Sequence, residues 1–118
     1  MQKKILVVDD DPVIVEYIVA VLRDNGFATC TAADGAQAYD LLKEERPSLI
    51  TLDLEMEEEW GTKFYRKLSK EAQFKDIPVI VISGLSGRHL SIKKAVGYLG
   101  KPFEPDELLC MIRKSIGD

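Results

Sequence analysis

"KKILVVDDDPVIVEYIVAVLRDNG", residues 3–26, changes its period part-way along. The first part is an unbroken apolar run from Ile5 to Val8 that stops abruptly at Asp9, Asp10 and Asp11. A short run of this kind without polar alternation reads as a strand buried on both faces. The second part carries Ile14, Ile18, Val21 and Leu22 at helical spacing. Asp11 suits the N-cap of that helix, Pro12 its first position and Gly26 its C-terminal stop. A strand that ends in acids and feeds directly into a helix sets the pattern for the rest of the chain.

The pattern repeats. "FATCTA" reads as a second strand and "DGAQAYDLLKEE" as a helix with Ala38, Leu41 and Leu42 inward. "SLITLD" reads as a third strand, followed by a helix over roughly residues 61 to 72. "IPVIVIS" is a fourth strand, with a short helical segment between it and a fifth strand in "GYLGKP". "EPDELLCMIRKSI" closes the chain as a helix whose first turn holds Pro105, Asp106 and Glu107, where the helix dipole favours acids. Strands alternating with helices imply right-handed βαβ crossovers and a five-stranded parallel sheet with helices on both faces, a doubly wound α/β fold. Ligands in such sheets bind beyond the carboxyl ends of the strands.

Composition bounds the rest. The chain of 118 residues is expected to form one domain over residues 1–118, with a single sizeable core. Its formal net charge of -4 gives no basic face for direct nucleic-acid binding, and no apolar stretch is long enough for a membrane span. Cys30 and Cys110 lie far apart without metal-ligand spacing and among apolar neighbours, so both are expected to be reduced core thiols of a cytoplasmic protein. The sole histidine, His89, has no partner spaced for catalysis.

The strand ends carry the chemistry. Strand 1 ends in Asp9 and Asp10, strand 3 in Asp53, strand 4 in Ser83 and strand 5 in Lys101. In a parallel sheet these ends share one edge. Clustered carboxylates repel unless a cation neutralises them, and hard oxygen ligands with room for water suit Mg²⁺. A carboxylate beside such an ion, a lysine and a hydroxyl is a nucleophile toward phosphorus. Ser83 followed by glycine is equally a turn signal, and Asp11 belongs to helix capping.

Taken in order, "VVDDD", "LDLEM", "VIVISG" and "YLGKPF" resemble the receiver domain of two-component response regulators over essentially the whole chain. The resemblance, not the periodicity, implies a flavodoxin-like strand order 2-1-3-4-5. It implies that Asp53 accepts a phosphoryl group from a histidine kinase, a phosphotransfer protein or a small phosphodonor. It further implies that Asp10 and Asp53 bind Mg²⁺ directly, Asp9 through water and Glu55 through its backbone carbonyl. Ser83 would be the switch hydroxyl, Lys101 the phosphate-pairing lysine and Tyr98 the aromatic that follows the switch. Output would pass to a downstream protein target by contact.

The chain departs from the family pattern at two places. Glu57 follows Met56 where a proline is common, and Trp60 precedes Gly61 where an acid is usual. Glu57, Glu58 and Glu59 add negative potential near the pocket, which salt screens within ~8 Å. Lys101 lies only 18 positions after Ser83, about one helical turn (~4 residues) short. The shortened segment holds Gly84 and Gly87, so ordering of residues 84–96 on phosphorylation and a largely monomeric protein are expected. Two other functions compete. A pseudo-receiver would use the fold for binding alone, and a haloacid-dehalogenase-like phosphatase would use Asp9 as nucleophile, since "ILVVDDDPV" also fits that pattern.

Overall fold

A computed structural model describes residues 3–53, 60–83, 97–100 and 103–117; of Trp60, Gly61, Thr62, Ser83 and Tyr98 it describes the backbone alone. Strands β1 (Lys4–Val8), β2 (Ala28–Ala32), β3 (Leu49–Asp53), β4 (Val79–Ser83) and β5 (Gly97–Gly100) form one sheet. Helices α1 (Pro12–Asp24), α2 (Gly35–Glu45), α3 (Trp60–Ser69) and α4 (Pro105–Ile116) complete the described elements. All strand pairs are parallel, in the order β2-β1-β3-β4-β5. The expected doubly wound architecture and strand order are both present.

The pleat sorts the apolar residues into two layers. Leu6, Val8, Ile50, Leu52, Val79 and Val81 pack on one side with Ala38 and Leu42 of α2 and Phe64 and Leu68 of α3. Ile5, Val7, Leu49, Ile80 and Ile82 pack on the other with Ile18 and Leu22 of α1 and Leu108, Leu109 and Ile112 of α4. Every residue of β3 is buried, Thr51 and Asp53 included, as a central parallel strand covered on both faces requires. Each fully buried Leu or Ile here contributes roughly 1.5–3 kcal/mol of transfer free energy.

Local chemistry fixes the element ends. The Asp11 carboxylate accepts the Val13 N–H, so the expected N-cap is in place, with Pro12 just inside it. At the other end of α1 the Gly26 N–H bonds to the Arg23 carbonyl and the Phe27 N–H to the Leu22 carbonyl. This is a Schellman closure, and it needs the positive φ of 89° that Gly26 adopts. Phe27 and Leu22 then enter the same apolar layer. Asp34 caps α2 by accepting the Gln37 N–H, while the Gln37 side chain accepts the Ala33 N–H in return.

Two expectations need correction. Helix α3 stops at Ser69, before the expected residue 72. The N–H groups of Lys70 and Glu71 turn to the carbonyls of Lys67 and Leu68, three residues back. That tightening carries the chain round so that Phe74 enters the core. The cysteines are both free, but Cys110 is exposed and Cys30 only half-buried. Cys110 follows Leu109 on α4, and one residue of helical rotation carries it from the buried face to solvent. Burial first, and the Glu45 carboxylate second, push the Cys30 thiol above its ordinary value. No described helix is long and apolar enough to cross a membrane.

Candidate functional site

The site is built by register. Val8 of β1 pairs with Leu52 of β3, so the next residues, Asp9 and Asp53, emerge side by side at the carboxyl edge of the two central strands. Both carboxylates are almost completely buried, at 3% and 2% exposure, whereas Asp10 is exposed. Carboxylate oxygens from Asp9, Asp10 and Asp53 all lie within 4.8 Å of one another. At such spacing negative charges oppose each other strongly in a partly dry environment. The donor set is hard and anionic, and one member faces solvent. It fits a small divalent cation that keeps some of its waters, as Mg²⁺ does.

Asp9 is held in place by the backbone. Its Oδ1 accepts the Asp11 N–H at 2.9 Å, and the Asp9 N–H donates to the Ala32 carbonyl of β2 at 3.1 Å. Asp11 therefore has a second task that capping alone does not account for. The sequence permits it, since an Asx turn needs an aspartate two residues before a residue that keeps its backbone N–H, as Asp11 does. Beside the acids lies a cleft of about 610 Å³, bordered by Pro12, Val15 and Glu16 of α1 and by Thr31 and Ala33.

The other expected site residues are only partly in view. Ser83 ends β4 and pairs with Gly100 of β5, which puts its backbone on the same sheet edge as Asp53. The backbone of Tyr98 pairs with Val81. Lys101, Glu55, the glutamates 57–59 and the shortened segment 84–96 lie outside the described residues.

A family model for the response regulator receiver domain matches residues 5–113. The chain belongs to the response regulator receiver domain family. Among its relatives, protein Rrf1 of Nitratidesulfovibrio vulgaris is 32% identical over 116 residues, covering 98% of this chain and 84% of that protein. The response regulator Rre1 of Synechocystis is 34% identical, and the match covers 92% of this chain but 49% of that relative. The receiver thus spans about half the length of several relatives, including a DNA-binding response regulator, MtrA, of Mycolicibacterium smegmatis. Among solved structures, the receiver domain of a sensor histidine kinase from Pseudomonas aeruginosa superposes with a TM-score of 0.90. It is 28% identical, coverage is 100% of both chains, and that structure has a magnesium ion coordinated in its active-site cleft. The chemotaxis response regulator CheY4 of Vibrio cholerae gives a TM-score of 0.86 at 28% identity over 98% of this chain and 99% of that one.

The receiver identity makes this chain a signalling switch of two-component systems and disfavours the pseudo-receiver alternative. It also removes the ground for a dehalogenase-like phosphatase, whose resemblance rested on one strand and its following acids.

Proposed function

We propose that this receiver accepts a phosphoryl group on Asp53, with Asp9, Asp10 and Asp53 holding Mg²⁺ and the Glu55 carbonyl completing the protein's share of ligands. The convergence of the three carboxylates within 4.8 Å carries this reading. Asp53 is the member fixed at the end of a wholly buried strand, so its oxygen is the best positioned to attack. That oxygen forms a bond to phosphorus while the bond from phosphorus to the donor's leaving group breaks: a nitrogen for phosphohistidine, an oxygen for acetyl phosphate. Bound Mg²⁺ would supply charge neutralisation for the carboxylates and the phosphoryl oxygens. Asp9, whose Oδ1 is held by the Asp11 N–H, keeps a fixed place among the mutually repelling carboxylates. Lys101 would pair with the phosphoryl oxygens, Ser83 would donate a hydrogen bond to them, and Tyr98 would follow Ser83.

On this reading residues 1–118 act as one receiver domain of the cytoplasm. A histidine kinase or phosphotransfer protein loads it, and a protein target reads it without direct nucleic-acid contact. It works as a monomer. Mass spectrometry of the chain after incubation with acetyl phosphate and Mg²⁺ tests this. A single phosphoryl adduct on Asp53, absent from Asp53→Asn, is the expected result. An adduct on Asp9 would restore the dehalogenase-like mechanism, and no adduct with any donor would restore the pseudo-receiver.

A further inference from the structure

A second charged feature lies away from the carboxylates, in the layer formed by α2 and α3. Lys63, Arg66, Lys67 and Lys70 recur at spacings of three and four along α3 and the turn after it, and all are exposed. They form one stripe, roughly 10 Å long at 1.5 Å per residue. The opposite face of the helix puts Phe64 and Leu68 into the core. In a chain whose formal net charge is -4, four cations concentrated on one short stripe stand out against the overall balance.

Tyr39 of α2 joins the stripe to the neighbouring helix. The Lys67 ammonium sits 4.0 Å from the centroid of its ring and the Lys43 ammonium 4.5 Å. The ring cannot swing freely, because its hydroxyl donates to Glu71 at 2.6 Å and it stands edge-on to Phe74 at 6.0 Å. Cations from two helices are therefore gathered at one held aromatic ring. Exposed lysines ordinarily lose much rotamer freedom on engaging an anion, and here part of that freedom is already gone.

We propose that this surface docks an acidic polypeptide segment of a partner protein. A crevice of about 410 Å³ runs between Lys63, Arg66, Lys67, Lys70 and Glu71, with room for more than one carboxylate side chain. Asp40 and Glu71 border the basic stripe. A nucleic-acid backbone presents phosphates over a broad face and would meet those acids. A helical segment with glutamates at i and i+4 presents a row as narrow as the stripe. The surface lies on the α2/α3 layer, and the proposal stands independently of phosphoryl transfer to Asp53.

The test is a titration of the isotope-labelled full chain with a synthetic helical peptide of glutamate and alanine, glutamates at i and i+4, in about 50 mM salt. Saturable shifts should appear at the amides of α3 and at Lys43, and should shrink as salt is raised. Arg66→Glu with Lys67→Glu should weaken binding by roughly tenfold or more. Arg113→Glu with Lys114→Glu, an equal change in net charge at exposed sites of α4 on the other side of the sheet, should change it by less than about twofold. Tyr39→Phe should bind nearly as well as the parent, and Tyr39→Leu several-fold worse. Circular dichroism checks each fold; if the double reversal does not fold, Arg66→Gln and Lys67→Gln singly carry the comparison. No shifts on α3, or equal weakening by the control pair, overturns the proposal. So does tighter binding of a thymidine oligonucleotide than of the peptide. Shifts on α3 that appear on concentrating the chain alone would make a second copy the occupant, and would overturn it too.

Discussion

The Asp9 carboxylate accepts the backbone N–H of Asp11 at 2.9 Å, and the Asp11 carboxylate accepts that of Val13 at 3.0 Å. The two bonds are consecutive, so the first turn of α1 and the acid at the end of β1 share one stretch of backbone. They use different parts of Asp11, which makes them separable. Asp11→Ala removes the cap and should cost about 1 kcal/mol of stability in urea unfolding. It keeps the N–H that holds Asp9, so the initial rate of phosphorylation should change by less than about threefold, ~0.65 kcal/mol. A much larger loss of rate would mean that the Asp11 carboxylate itself serves the site.

The clustered carboxylates should make the metal-free protein less stable than it could be. Neutralising one of them relieves the mutual repulsion. In the presence of a chelator, Asp53→Asn should melt higher than the parent by about 4 °C, on the order of 1 kcal/mol. Added Mg²⁺ should raise the parent's melting temperature with concentration, as a ligand of the folded state does. The variant should gain much less. Equal gains in both proteins would place the cation elsewhere.

Gly97, at the start of β5, leaves room for Met111 of α4. A Cβ built at that position would meet the Met111 sulfur at 2.6 Å. The thioether is flexible, so Gly97→Ala should cost about 1 kcal/mol, with Gly97→Val toward about 3. In a Met111→Ala background the cost of Gly97→Ala should largely vanish, and a double-mutant cycle in urea reads that coupling directly. Additivity would show that the two side chains do not compete for the space.

Tyr39 should titrate late. Its hydrogen bond to Glu71, then partial burial and the Glu71 charge, raise its pKa above the ordinary 10.0. Because the folded value is the higher one, the associated stability is complete below pH 10 and is lost as pH rises through the folded value. Ultraviolet titration of tyrosinate should show a late phenol, and Glu71→Gln should bring its titration to lower pH. A late phenol that persists in Glu71→Gln would assign the shift to burial alone.

The sheet was legible because its central strands are unalternating apolar runs, and the site because each run stops at a residue that can do chemistry. Asp9 and Asp53 needed only the assumption that parallel strands share an edge. Where local sequence misleads, apolar neighbours are a poor guide to the direction a side chain takes. Cys110 sits between Leu109 and Met111, yet a helix turns about 100° per residue, and the apolar flanks say nothing of its own face. The end of α3 was unreadable because Lys70, Glu71 and Ala72 are good helix formers. What stops the helix is the burial of Phe74, a tertiary demand. The end of α2 carries no glycine; Arg46 takes the left-handed conformation instead, at φ 46°, and Pro47 after it was the one local sign. The basic stripe was present in the chain as text, but its anchor, Tyr39 with Glu71, joins residues that only the fold makes adjacent.

The sheet has an apolar layer on each side, and no described helix belongs to both. Visitors to the two layers therefore need not exclude one another. A protein seated along α3 leaves α1 and the cleft beside Asp10 open to a second guest. If both proposals hold, such a chain would hold two associates at once and serve as their meeting place, an adaptor whose occupancy on one flank is no obstacle to traffic on the other.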